Sequence, residues 1–163
     1  DHHEGQEPPD LLRIGGALER AQMTLRLLDV KYHVLLPETE VVGGGRDHYQ
    51  WTSVLHALSG VRAYHHVYAG VFTPWQITDF LMANDAFPRS VAFCVNQMRG
   101  HLDRLAQRHD ARSACHDTVV EMSDHLRTNA GGKIFELGMH ESIQHCLALT
   151  NRLAREIAQA YHF

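Results

Sequence analysis

The sequence lacks any apolar run of the about 18 residues that a transmembrane helix needs. It also lacks an excess of basic residues: 15 Lys and Arg stand against 19 Asp and Glu, for a net charge of -4. Nucleic acid is therefore an unlikely partner class by composition. The opening residues 1–10 are polar and acidic, unlike a signal peptide. These absences predict a cytoplasmic protein with no membrane and no nucleic-acid partner.

Cysteine is scarce, and the three residues Cys94, Cys115 and Cys146 are widely spaced without a C-x-x-C pair. An odd, scattered set of this kind indicates reduced thiols rather than a disulfide framework. Each cysteine falls within a helical pattern. The prediction is that each is buried as a small apolar side chain.

Nucleotide and nucleophile motifs are also missing. There is no P-loop, no G-x-G-x-x-G and no G-x-S-x-G, so no cofactor is predicted for this chain by itself. Fourteen histidines are many, but the Glu/His pairs are spaced by four residues, whereas di-iron helical bundles use a step of three. These pairs are Glu121/His125, Glu136/His140 and Glu141/His145. No metal site is predicted.

Alternating strand patterns are nearly absent, and helical patterns cover the chain. A first helix is predicted over residues 10–36, with Asp10 as its cap and Pro37 at its end. Further helices are predicted over 47–59, 61–69, 74–84, 88–109, 113–129 and 133–161. The expected fold is all-α: an up-and-down bundle of six to seven helices with two long terminal helices. Residues 1–9 are expected to be a disordered or extended leader, and 10–163 a single domain.

A polar row follows one side of the first helix, in steps of three and four: Glu19, Gln22, Arg26, Asp29 and His33. It runs between the apolar seam and a second apolar row at Met23, Val30 and Val34. The row is therefore expected to be at least partly buried, while Arg13, Arg20 and Lys31 form the more solvated face.

Two interpretations of this row remain open. It is either a buried ion-pair network that sets the helix register, or a cleft lined by Glu19, Arg26 and Asp29. Carboxylates and a guanidinium in a cleft serve proton transfer or anion binding.

The start of the fifth helix is a second candidate site. Pro88 in the first turn leaves free backbone N–H groups, and Arg89 and Ser90 stand beside them. Such helix starts attract phosphate or carboxylate groups. The alternative is an ordinary helix start capped by Asp85.

The run Ile14-Gly15-Gly16-Ala17-Leu18-Glu19-Arg20-Ala21 and its continuation to Val30 resembles the signature of the alpha-E family of bacterial proteins. That signature reads approximately L-G-R-x-x-E-R-A-x-x-T-x-R-L-L-D-V. Further matches include Phe87-Pro88-Arg89-Ser90-Val91 and Gly138-Met139-His140. One departure is Gly16, where the family has Arg. The resemblance covers nearly the whole chain and is typical of the C-terminal half of a longer protein with two helical halves.

Partners and site residues follow from this resemblance. It implies an ATP-grasp-type ligase and a transglutaminase-like protein as partners, besides the N-terminal alpha-E half or a second copy in a homo-oligomer. Peptide or amide ligation or modification is the implied chemistry. The residues expected to bind substrate or anion are Arg20, Arg26, Arg89, Ser90 and His140.

The function predicted on these grounds is a helical component that binds a substrate or partner at the polar row. One alternative is an enzyme in its own right, with Glu19 or Asp29 as the proton carrier and Arg26 holding an anion. The other is a purely structural, oligomerising helical bundle.

Overall fold

The computed structural model describes residues 7–34, 45–70, 72–109, 112–131 and 138–161. Within these ranges the chain forms seven helices and no strand. They are α1 (Glu7–Val34), α2 (Gly45–Ala57), α3 (Val61–Val67), α4 (Pro74–Ala83), α5 (Val91–His109), α6 (Ala114–Thr128) and α7 (Met139–Tyr161). The prediction of an all-α bundle with two long terminal helices is confirmed. No helix in the described ranges combines the length and the apolar character needed to cross a membrane.

Four long helices form a closed ring in which α1 packs against α5 and α7, and α6 packs against the same two. Side-chain contacts show that all neighbours are antiparallel. Gln22 of α1 meets Asn151 of α7, whereas Asp29, further along α1, meets Gln144, which comes earlier in α7. The three short helices cover one end of this ring, where α2 and α4 contact α1 and α4 also contacts α5 and α6.

The predicted apolar seams face the interior of the ring. Ala21, Leu25 and Leu28 of α1 are fully buried, as are Ile143 and Cys146 of α7. Each seam steps by three and four residues, which keeps its side chains on one face of an α-helix. The bundle core therefore follows directly from the sequence pattern.

Helix boundaries depart from the prediction at the starts of α1 and α5. α5 begins at Val91, so Pro88 precedes the helix and does not lie in its first turn. α1 begins at Glu7, three residues before the predicted start, so Asp10 lies inside the helix and does not cap it. α4 begins as predicted, because the Thr73 hydroxyl accepts a hydrogen bond from the Gln76 N–H (3.3 Å) and Pro74 follows in the first turn. Residues 1–6 of the predicted leader lie outside the described residues, as do residues 132–137 at the predicted start of the last helix.

The α6 start is held by a histidine rather than by a carboxylate. The Ser113 backbone N–H donates to Nδ1 of His116 (3.0 Å), so Nε2 of His116 carries the proton and donates to the Leu102 carbonyl (2.8 Å). His116 is buried. One imidazole thus satisfies a helix-end donor of α6 and joins that helix to α5.

All three cysteines are free and fully buried, as expected from their helical positions. Burial raises the pKa of the Cys94, Cys115 and Cys146 thiols, and that of Cys146 reaches about 12. We expect a thiol–disulfide exchange reagent at about pH 8 to label the native protein far more slowly than the denatured protein, since only the thiolate reacts. Rapid labelling of one thiol without denaturant would contradict this prediction.

Candidate functional site

The polar row of α1 divides between two environments. Glu19 and Arg26 are exposed to solvent. Gln22 and Asp29 are half-buried against α7, where the Gln22 amide donates to Asn151 Oδ1 (3.3 Å) and the Gln144 amide donates to Asp29 Oδ1 (2.5 Å). The expectation of at least partial burial is therefore confirmed for Gln22 and Asp29 and wrong for Glu19 and Arg26. The side chain of His33 lies outside the described residues.

The prediction of a solvated face at Arg13, Arg20 and Lys31 is wrong for Arg20 and Lys31, which are more buried than expected. Arg13 is exposed, but Arg20 is half-buried and Lys31 is fully buried. The Lys31 ammonium donates to Gln50 Oε1 (3.3 Å) and lies 4.7 Å from the centroid of the Trp51 ring. α2 and α5 cover this flank of α1, which brings these cations inside.

Arg20 is held between α1 and α5. Its guanidinium donates to Gln97 Oε1 (2.9 Å) and lies beside the Cys94 thiol, where its charge opposes the rise that burial causes in the pKa of that thiol. Nη1 lies 3.4 Å from the place that a Cβ on Gly16 would occupy. The side chain therefore runs back along α1 over Gly16, the position at which this chain departs from the signature it resembles.

The approach to α5 is shaped by two side-chain caps. The Asn84 side-chain oxygen accepts from the Phe87 N–H (2.9 Å). The Ser90 hydroxyl accepts from the Phe93 N–H (3.0 Å) and donates to the Asn84 carbonyl. Ser90, and not Asp85, therefore caps α5. Because Ser90 is fully buried, its hydroxyl is committed to the backbone of this turn.

Arg20 and Arg89 line one small cavity of about 130 Å³, together with Met23, Thr24 and Leu58. The buried Thr24 hydroxyl donates to the Arg89 carbonyl (2.7 Å), which holds the start of α5 beside α1. None of these lining residues is acidic. The lining is mostly apolar, and Arg20 and Arg89 are its two charged residues. A guanidinium group recognises small anions such as a carboxylate or a phosphate.

A second and more open depression of about 520 Å³ runs along the outer side of α1. Its lining residues all belong to that helix: Glu19, Gln22, Met23, Arg26, Leu27 and Val30. Met23 borders both depressions. The Glu19 and Arg26 side chains are thus next to the cavity of Arg20 and Arg89 but open toward solvent.

The remaining predicted site residues lie elsewhere. Glu19 and Asp29 are ten residues apart, which is about 15 Å along the helix axis, too far for an acid and a base at one bond. His140 stacks on Tyr32, with ring centroids 5.0 Å apart, toward the end of α1 that is remote from Arg20. Among the predicted site residues, Arg20 and Arg89 line the cavity of about 130 Å³ together. Met23, Thr24 and Leu58 complete its lining, and the sequence predicts none of them as a site residue.

Within the described ranges, no group of three His, Cys, Asp or Glu side chains is placed to hold a metal ion. His125 and His145 lie close together, with ring centroids 4.7 Å apart. Burial lowers the pKa of His125, and the neighbouring His145 lowers it further.

The model of the Alpha-E family, described as a predicted alpha-helical domain with a conserved ER motif, matches residues 6–162. The Glu-Arg pair of this chain within the matched signature is Glu19-Arg20. No curated protein and no solved structure matches the chain.

Proposed function

The chain belongs to the Alpha-E family, and from that premise we propose that it is the substrate-binding helical component of an ATP-grasp-linked peptide or amide ligation or modification system. In this role the domain holds a carboxylate-bearing substrate, and the ATP-grasp-type ligase supplies the nucleotide chemistry. The lack of any nucleotide-binding motif in the sequence agrees with that division of labour.

The cavity shared by Arg20 and Arg89 carries this proposal. Arg20 belongs to the Glu-Arg pair, and Arg89 comes from the turn before α5, so the two residues meet only in the folded chain. Amide formation starts from a carboxyl group, which is one of the groups that a guanidinium donor recognises. Leu58 and Met23 supply apolar lining beside the two arginines.

Each arginine should contribute strongly to binding. A hydrogen bond to a charged group is worth roughly 1.5–3 kcal/mol, or about a 10- to 100-fold change in affinity. Arg20→Met and Arg89→Met should each weaken the binding of N-acetyl-dialanine with a free carboxylate by that factor. The measurement is an NMR titration, and inorganic phosphate serves as a competitor to distinguish the two anion classes.

Two controls keep this test specific. Dialanine with an amidated C-terminus should bind no better to the native chain than to the Arg20→Met variant, since it offers no anion. Arg99→Met removes an exposed arginine from α5, outside the cavity, and should leave the affinity unchanged. Equal binding of the free and amidated peptides to the native chain would refute the carboxylate site.

The partner is tested separately. A tagged full-length protein, purified from its native cells, should retain an ATP-grasp-type ligase or a transglutaminase-like protein at near-stoichiometric yield. Mass spectrometry of the purified material provides the measurement. Recovery of the tagged protein without either partner would contradict the ligation system and leave the anion site to stand on the titration alone.

A further inference from the structure

The outer face of α1 carries three of the four large hydrophobic side chains that are exposed among the described residues. The large hydrophobic side chains exposed there are Leu12 (75 %), Met23 (54 %) and Val30 (50 %), and the one other in the described ranges is Val67 on α3. Single exposed apolar residues are ordinary, but several on one helix face mark an interaction surface.

These residues belong to a regular series that we name the outer stripe: Leu12, Gly16, Glu19, Met23, Arg26 and Val30. The steps along it alternate between four and three residues, which is the spacing of a helix-pairing seam. The core seam of α1 lies on the opposite side of the helix, where Leu25 and Ala21 are fully buried. α1 therefore has two seams, and the bundle core uses one of them.

Gly15 leaves open helix surface beside this face, since a Cβ there would meet no atom within 4 Å. The Arg20 guanidinium lies over the neighbouring Gly16. Glycine inside a helix costs about 1 kcal/mol relative to alanine.

We propose that the outer stripe pairs in antiparallel orientation with the outer stripe of a second copy of this chain, forming a two-fold homodimer. With Leu12 opposite Val30 of the second copy, Gly16 faces Arg26 of that copy. Because Glu19 is three residues beyond Gly16, it is offset from Arg26 of the second copy by about 4.5 Å along the helix axis, a distance that the arginine side chain can span. Two-fold symmetry makes each of these contacts occur twice.

Charge determines the direction of pairing. A parallel pair would place Glu19 opposite Glu19 and Arg26 opposite Arg26, and like charges facing each other oppose association. The antiparallel pair brings opposite charges together on both sides of the two-fold axis. The inference does not depend on the anion site, although Met23 borders both features.

The test is the mass of the full chain by sedimentation equilibrium, measured for the native protein, Glu19→Arg, Arg26→Glu and the double variant. The native chain should be a dimer. Each single reversal creates like-charge contacts twice and should raise the dissociation constant by roughly tenfold or more. The double variant should recover the native value, since each reversed charge again meets its opposite.

Arg155→Glu is the matched control, because it reverses an exposed charge on α7 and should leave the dissociation constant unchanged. Circular dichroism confirms that every variant remains helical. A native chain that stays monomeric at the highest soluble concentration overturns the proposal and assigns the outer stripe to a different partner. Failure of the double variant to recover association overturns the antiparallel pairing.

Discussion

Asp10→Ala should lower the free energy of unfolding by about 3 kcal/mol at neutral pH, the usual cost of removing one partner from a buried ion pair. The Asp10 side chain is 7 % exposed. It contacts Nδ1 of His101 (2.8 Å) and a guanidinium nitrogen of Arg108 (2.7 Å), and Arg104 lies at 3.5 Å. Without the carboxylate, the cations of α5 would face one another at the junction with α1. Urea denaturation of both proteins measures the difference.

The Asp10 carboxylate also makes the free energy of unfolding depend on pH. Burial by itself raises the pKa of Asp10, but hydrogen bonds from His101 and Arg108 and the charges of Arg108 and Arg104 outweigh it, so the net pKa lies below its ordinary value. A lowered folded-state pKa means that the stabilisation is complete above about pH 4 and is lost as the pH falls through the folded-state pKa. The difference between the native protein and Asp10→Asn should therefore shrink in acid.

Asp124→Ala is the matched control for this cluster. Asp124 also pairs with an arginine, Arg127, at 2.7 Å, but the two side chains are 54 % and 77 % exposed. An exposed pair contributes between about 0 and 1 kcal/mol. Equal destabilisation by Asp10→Ala and Asp124→Ala would show that burial of the Asp10 cluster contributes nothing.

Trp51→Ala should lower the free energy of unfolding by about 3–5 kcal/mol, the range for truncating a large aromatic side chain in a core. Trp51 is 2 % exposed and lies under the Lys31 ammonium, so the substitution leaves a cavity and removes the cation–π contact. α2 joins the bundle through this residue together with Val54 and Leu55, and Leu58, directly after the helix, is buried as well. Urea denaturation followed by circular dichroism gives the change.

Trp75→Ala provides the comparison, because the other tryptophan of the chain is half-buried on α4. Its truncation exposes less apolar surface and should cost clearly less than Trp51→Ala. If the two variants were equally stable, the attachment of α2 through Trp51 would be refuted.

Most of the fold was predictable, because an apolar step of three and four residues reports directly on which helix face is buried. The errors concern the flanks of α1. A single helical pattern places Arg20 and Lys31 on one side of the seam and Gln22 and Asp29 on the other, but it does not say which neighbouring helix covers each side. α2 and α5 cover the first flank closely enough to bury Lys31, whereas Glu19 and Arg26 remain open.

The candidate site was predictable only in parts. The Glu-Arg signature identifies Arg20 as a candidate, and the turn before α5 identifies Arg89. The local pattern does not predict that these two residues, 69 positions apart, lie at the same cavity. The Thr24 hydroxyl, which donates to the Arg89 carbonyl, resembles in sequence any small polar residue on a helix. The sequence likewise predicts Asp10 as a helix cap, because its ion-pair partners His101 and Arg108 lie on another helix and cannot be identified from the local pattern.

By itself, then, the sequence determined the helices, their buried seams, the burial of the three thiols and the family to which the chain belongs. These depend on neighbours within a few residues, for which helix geometry supplies the period. The tertiary structure alone decided that Arg20 and Arg89 line one cavity, that Lys31 is buried and that Glu19 and Arg26 are exposed. Such pairings depend on which helices pack together and how closely, a property of long-range contacts that no local period encodes.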